Sequence, residues 1–233
     1  MGNLDILYED NHIIAINKTN SDLVQGDKTG DETLSDAVKA YIKEKYNKPG
    51  DVFLGIAHRL DRPVSGVVLF GKTSKALARL NKMFESKEIK KTYWAIVKNL
   101  PPHDHDTLSH YLLRDNERNK SHAHNSEKKG SKLAILSYSL VSSIDNYHLL
   151  EINLETGRHH QIRCQLAKIN CPIKGDLKYG FPRSNQNGGI SLHARRIEFV
   201  HPVSKENIVI EAPLPKDEPL WGEFRNVYTR SKR

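Results

Sequence analysis

The chain turns on one stretch: Ala57-His58-Arg59-Leu60-Asp61-Arg62-Pro63-Val64-Ser65-Gly66, which runs straight into the apolar segment Val67-Val68-Leu69-Phe70. Gly66 to Phe70 is β-branched and apolar and reads as a strand. Pro63 pushes Arg62 towards an extended conformation, so Asp61 is expected in a loop just ahead of that strand. Loops held by a rigid sheet are common seats of catalysis. Asp61 lies between two arginines, whose positive charge favours its ionised form. An ionised, well-held carboxylate can be a nucleophile, and the guanidinium flanks suit a phosphate-bearing substrate. The stretch hints at covalent chemistry on a nucleic acid. Taken alone, it is also compatible with an Asp61 that merely salt-bridges Arg59 or Arg62 to fix the loop.

Working outward, His12 to Lys18 is a short apolar run and reads as a buried strand. Leu34, Val38, Tyr41 and Ile42 have helical spacing within Thr33 to Tyr46, and Pro49-Gly50 stops that helix. Ser74 to Phe84 is a second helix, capped by Thr73 or Ser74, with Leu77, Leu80 and Phe84 on its inner face. Strands are expected over Lys91 to Lys98, Leu133 to Val141, Tyr147 to Leu154, Leu192 to Val200 and Ile208 to Ala212. A short helix carries Ile162, Leu166 and Ile169 and ends before Pro172. Most strand-to-strand connections lack a helix. The fold class is therefore α+β, with a mixed, largely antiparallel central sheet flanked by helices and loops.

At 233 residues the chain suits one large domain or two small ones. A single domain over residues 1–226 with a basic tail at 227–233, unstructured over Thr229 to Arg233, is the expectation. Lys and Arg total 36 against 28 Asp and Glu, a net charge of +8, which suits a polyanionic partner as well as a plain solvated surface. No window approaches the ~20 apolar residues of a membrane span, and the acidic start Met1-Gly2-Asn3-Leu4-Asp5 lacks a signal-peptide core. The two cysteines, Cys164 and Cys171, make neither a disulfide framework nor a CxxC site and read as reduced thiols of a cytoplasmic protein. His103-Asp104-His105-Asp106 has no matching ligand set, so no metal site is expected there. Residues 101–130 and 174–189 read as polar surface segments.

Two further segments carry chemistry. Thr156-Gly157-Arg158-His159-His160-Gln161-Ile162-Arg163 lies where a strand turns into a helix. Gly157 permits the tight turn, and Arg158, His159, His160 and Arg163 form a basic cluster near free backbone N–H groups. Arg163 begins at the edge of an apolar helix face and needs a carboxylate partner, for which Asp61 is the candidate. In Lys91-Thr92-Tyr93-Trp94, the two rings fall on opposite faces of a strand. Tyr93 is either a core residue or a ring that stacks on a base.

Together these segments resemble the RluA family of pseudouridine synthases. HRLDRPVSG (58–66) is similar to the stretch around that family's catalytic aspartate, KKTYWAIV (90–97) to its active-site tyrosine strand, and TGRHHQIRCQL (156–166) to its arginine segment. Gly175-Asp176-Leu177-Lys178-Tyr179-Gly180, Leu192-His193-Ala194-Arg195 and Phe199-Val200-His201-Pro202 agree as well, in the family's order, from about Ile6 to Phe224. The resemblance implies isomerisation of uridine to pseudouridine in RNA with no metal or cofactor. The C1′–N1 bond breaks, the uracil turns, and C5 joins C1′. It implies Asp61 as catalytic aspartate, Arg163 as its ion-pair partner, Tyr93 stacked on the base, and Arg59 entering the RNA where the base was displaced. Arg62, Arg158 and His160 join Arg59 as expected RNA contacts.

The sequence departs from the family in two places. Lys18-Thr19-Asn20-Ser21 stands where Lys-Pro-x-Gly is common, and an N-terminal S4 RNA-binding domain, frequent in relatives, is expected to be absent. RNA selection would then rest on the catalytic domain, with 101–130 and 174–189 as candidate segments. Ribosomal and transfer RNA are both open as partners, no membrane partner is expected, and a monomer is the default. Two competing functions are a catalytically silent RNA-binding module, which would not need Asp61, Tyr93 and Arg163 together, and a glycosidase, which generally needs a second carboxylate.

Overall fold

A computed structural model describes residues 4–26 and 30–231. In chain order the strands and helices are β1 (Ile6–Glu9), β2 (Ile13–Lys18), α1 (Leu34–Lys45), β3 (Gly55–Ile56), β4 (Ser65–Gly71), α2 (Ser74–Glu85), β5 (Lys90–Val97), β6 (His105–Asp115), β7 (Lys120–His124), β8 (Lys132–Ile144), β9 (Tyr147–Leu154), α3 (Gln161–Lys168), β10 (Leu192–Val200), β11 (Asn207–Glu211) and α4 (Pro219–Ser231). The backbone gathers into two compact units. One holds Met1–Lys90 with Ala194–Pro213, the other Lys91–His193 with Leu214–Arg233. The class is α+β, and β1 with β2, β2 and β3 with β4, β10 with β11, β5 with β9, β6 with β7, and β8 with β6 and β9 all pair antiparallel.

In the first unit β2 pairs with β1 on one side and β4 on the other, β3 adds two residues to β4, and β10 pairs with β11. β4 is buried at every position and β2 at all but one, because both faces of these strands are covered. This is why they read as continuous apolar runs rather than as alternation. One face packs under α2: Ile13, Ala15, Val67 and Leu69 meet Ala76, Leu80 and Met83, joined by Ile197, Phe199, Ile210 and Ala212. Helix α2 starts where Thr73 accepts a hydrogen bond from the Ala76 N–H. Thr33 caps α1 in the same way through Asp36.

In the second unit the ladder runs β5-β9-β8-β6-β7. Helix α4 covers Trp94, Ile96 and Leu149 with Trp221 and Phe224. Helix α3 meets β6 and β8 through Cys164 beside Leu112 and Ala134. Here the structure differs from the sequence expectation in three places. Residues 101–130 are not a polar loop: they carry β6 and β7. Leu108, His110 and Leu112 alternate inward on β6, and buried His110 is satisfied by Gln165, 3.1 Å away. The stretch at 174–189 is pinned rather than loose. Lys174 Nζ bonds Asn185 and Glu218, and Ser191 Oγ joins Asn185 to Glu218. Helix α4 continues through Ser231 where a disordered tail was expected; Lys232 and Arg233 lie outside the described residues. No helix among the described residues is long and apolar enough to cross a membrane.

Candidate active site

Asp61 lies in the loop between β3 and β4, as the proline spacing predicts, and is half-buried. The backbone of this loop is fixed from three directions. β3 supplies only two ladder pairs, Gly55 with Gly71 and Ile56 with Phe70. Beyond them the His58 ring takes the place of a backbone carbonyl, its Nε2 accepting the Leu69 N–H at 3.0 Å while the ring packs 4.8 Å from Phe84. The Val64 N–H closes a turn on the Asp61 carbonyl at 3.0 Å. Beneath the turn lies Lys18, 0% exposed at the end of β2. Its Nζ donates to the carbonyls of Thr19, Arg62 and Val64 at 2.7, 2.8 and 2.7 Å. All three of its protons are thereby used on backbone. Burial pushes the Lys18 ammonium down to about 7; the charges of Asp22 and Asp61 pull it back up and that of Arg62 adds to the depression.

Gly66, where the loop becomes β4, has φ +113°. A Cβ there would strike the carbonyl of Ala194. Only glycine meets both demands at low energy. Gly66→Ala should therefore lower stability by about 2–3 kcal/mol through forced φ and overpacking, read as a shifted urea midpoint at unchanged slope. A loss under 0.5 kcal/mol would show that the close approach is not rigid.

Arg59 and Arg62 flank Asp61 on the exposed side of the loop. Arg62 Nη1 reaches Asp31 at 2.9 Å, and Arg59 Nη1 reaches Gln25 at 3.5 Å. Both partners of the Arg62 pair are about half exposed, so it adds little stability and leaves the guanidinium available to phosphate.

In the second unit, Tyr93 stands on β5 opposite Ile152 of β9 and is 8% exposed. The turn into α3 is tied by Gln161, whose Oε1 accepts the Thr156 hydroxyl and the Arg158 N–H and whose Nε2 donates to the Ile135 carbonyl. Arg158 is exposed, with Nε on the Leu133 carbonyl. Arg163 is not half-exposed as its helix position suggests but buried, with a side chain 6% exposed. Its Nε and Nη2 donate to the two oxygens of Asp176 at 2.7 and 2.9 Å.

His160 caps α3 in the left-handed region at φ 53°. It was expected to meet RNA; the structure instead buries its ring, with Nδ1 3.0 Å from the Tyr179 hydroxyl. Burial and the charge of Arg163 push it down to about 2, so it is neutral at any working pH.

The structure thus groups Arg59, Asp61 and Arg62 on one loop of the first unit, and Tyr93, Arg158, His160 and Arg163 in the second. Two elements of the site escaped the sequence. Lys18 reads only as the polar end of an apolar strand, and Asp176 lies in a Gly- and Asn-rich stretch that mimics a loose loop.

The RNA pseudouridylate synthase family matches residues 12–168. An RNA pseudouridine synthase of Bacillus subtilis, YlyB, is 33% identical over 92% of this chain and 70% of its own length. The ribosomal large subunit pseudouridine synthase C of Buchnera aphidicola subsp. Baizongia pistaciae is 34% identical over 90% of this chain and 66% of its own. Among solved structures, human RNA pseudouridylate synthase domain containing 4 superposes with a TM-score of 0.78 at 21% identity, covering 97% of this chain and 93% of that one, which bears on the fold. The Asp61 loop, the Tyr93 strand and the whole of α3 fall inside the matched segment. With two thirds of its length matched and relatives above 30% identical along nine tenths of it, the chain belongs to the RNA pseudouridylate synthase family, isomerases that act on RNA.

Proposed function

We propose that this protein isomerises a uridine of large-subunit ribosomal RNA, with Asp61 as the catalytic carboxylate. Arg163 is the arginine of the isomerisation site, Tyr93 stacks on the flipped uracil, and Arg59, Arg62 and Arg158 hold RNA phosphate or the space the base has left. His160 is omitted from the RNA contacts because its ring is spent on Tyr179. The observation that carries the reading is the Asp61 loop: the carboxylate stands on a turn whose backbone is clamped by a buried lysine and a histidine-extended ladder. Such preorganisation is what chemistry at a single carboxylate requires. The uracil is retained, so no second carboxylate is needed to activate water, in contrast to glycoside hydrolysis. Flipping the base out of its stack costs a few kcal/mol, least where the uridine is already unpaired, which favours a loop of a structured RNA. The ribosomal assignment follows the names of relatives such as the Buchnera enzyme. A ribosomal substrate supports a cytoplasmic location for the reaction.

The test is tritium release from RNA labelled at uridine C5, followed by mapping of pseudouridine. Ribosomal RNA is expected to release tritium and gain pseudouridine in the chain, with EDTA present. Gain in transfer RNA alone would move the substrate. Free uracil with abasic sites would replace isomerisation by base release, and binding without tritium release would leave an RNA-binding module.

A further inference from the structure

Arg163 is held more tightly than an arginine needs to be for packing. Desolvation offsets most of the attraction in a buried ion pair, so the Arg163–Asp176 pair does little for net stability. Its geometry is nonetheless specific. Asp176 is 1% exposed and grips the Nε–Nη2 edge of the guanidinium with both oxygens. Its backbone is fixed in turn: its N–H donates to Ile173, and its carbonyl accepts from Tyr179 and Phe181. The preceding Gly175 has φ +86°, and a Cβ there would run into Asn185. Tyr179 adds a second constraint, with the Arg163 Cζ 5.1 Å from its ring centroid. The Tyr179 hydroxyl is itself anchored, receiving the Ser121 N–H at 2.8 Å and meeting His160 Nδ1 at 3.0 Å. His160 makes that contact from a left-handed backbone, a conformation non-glycine residues take at some energetic cost.

We propose that Asp176 and the ring of Tyr179 are positioning residues that fix the Arg163 guanidinium in a single orientation, and that they act on isomerisation through Arg163 without touching RNA. A planar guanidinium gripped along one edge and stacked on one face is held to one orientation of its remaining N–H donors. The inference rests on Arg163 being the arginine of the isomerisation site, as proposed above.

The test is steady-state kinetics on the full chain with unmodified large-subunit ribosomal RNA, tritiated at uridine C5. Asp176→Asn should lower kcat by about 100-fold, with KM and RNA affinity within about threefold of the parent. Tyr179→Phe keeps the ring and should stay within about threefold, whereas Tyr179→Leu should lose about tenfold in kcat. Arg163→Lys cannot make the bidentate grip, so adding Asp176→Asn to it should cost nothing further. If Asp176→Asn does not fold by near-UV circular dichroism, Asp176→Glu decides, with about a tenfold loss in kcat expected at an unchanged melting point.

A folded Asp176→Asn or Asp176→Glu with parental kcat, beside an inactive Arg163→Lys, overturns the inference alone. Effects of Arg163→Lys and Asp176→Asn that multiply overturn it too. A fully active Arg163→Lys removes the reading beneath it.

Discussion

Asp61→Asn is expected to reduce pseudouridine formation by at least about a thousandfold, in the range seen when a covalent or acid–base residue is deleted from a preorganised site. RNA affinity should stay within about threefold, because the electrostatic attraction to phosphate comes from basic residues rather than from this carboxylate. The substitution separates chemistry from architecture. Asparagine has nearly the same shape but cannot attack carbon or accept a proton at neutral pH. The backbone path of the loop has its own ties: Lys18 holds the carbonyls of Arg62 and Val64, His58 holds the Leu69 N–H, and the turn closes through the Asp61 main chain. The variant should therefore fold and bind, and fail only at bond cleavage. Single-turnover tritium release and filter binding on one preparation measure both halves. Turnover within about tenfold of the parent would remove Asp61 from the catalytic role. A parallel loss of binding would make it a contact residue instead.

What the sequence revealed of this fold depended on how each element earns its burial. The strands at β2 and β4 were legible because each carries an unbroken apolar run, Ile13 to Ile16 and Val67 to Phe70, and both faces are covered. Helices α1 and α2 were legible because Thr33 and Thr73 cap amphipathic runs. β6 and β7 were not, because their inward positions include His110 and Ser121, polar groups satisfied by partners distant in the chain: Gln165 for His110, and Tyr179 and His159 for Ser121. No local pattern announces such a partner. Helix α4 had a readable signal, Trp221 and Phe224 three apart after a proline at the helix start, but Gly222 and the polar residues around it diluted the period.

The site divides in the same manner. Asp61, Tyr93, Arg158 and Arg163 were legible from motif and chemistry, whereas the depth of Arg163 and His160 was not. A basic residue on a helix start looks the same on the surface as in the interior until Asp176 and Tyr179, more than ten residues away, are brought against it. Lys18 is the sharpest case. Its family counterpart precedes a proline and glycine, which this chain replaces with Thr19-Asn20-Ser21. Nothing in that departure points to a role for Lys18. The structure instead makes Lys18 the residue that ties β2 to the Asp61 turn, through Arg62 and Val64 more than forty positions away.

Replacing that lysine should be the most destabilising single change near the Asp61 loop. Lys18→Met keeps the length and apolar body of the side chain but removes its donors. It leaves the carbonyls of Thr19, Arg62 and Val64 without Nζ. A buried carbonyl deprived of its donor costs about 1–3 kcal/mol, and water can reach the two partly buried ones, so the net loss should be on the order of 3 kcal/mol at pH 7. The freed turn should also lower kcat by about 100-fold, as misplacement by a fraction of the loop's width does.

The pH dependence gives a second, independent signature. Lys18 ionises at about 7 when folded, against an ordinary 10.5 for the unfolded chain. Between those values the unfolded chain holds a proton that the folded protein has released, so the parent gains stability as pH rises. Lys18→Met has no such group. Its deficit should therefore widen by about 2 kcal/mol between pH 7 and 9, since each pH unit in that window contributes about 1.4 kcal/mol at most. Urea unfolding of the two proteins across that range measures the difference directly, with all other titrating groups cancelling. A deficit that stays flat with pH would mean that Lys18 ionises alike in both states. One below about 0.5 kcal/mol would mean that the three carbonyls do not depend on it.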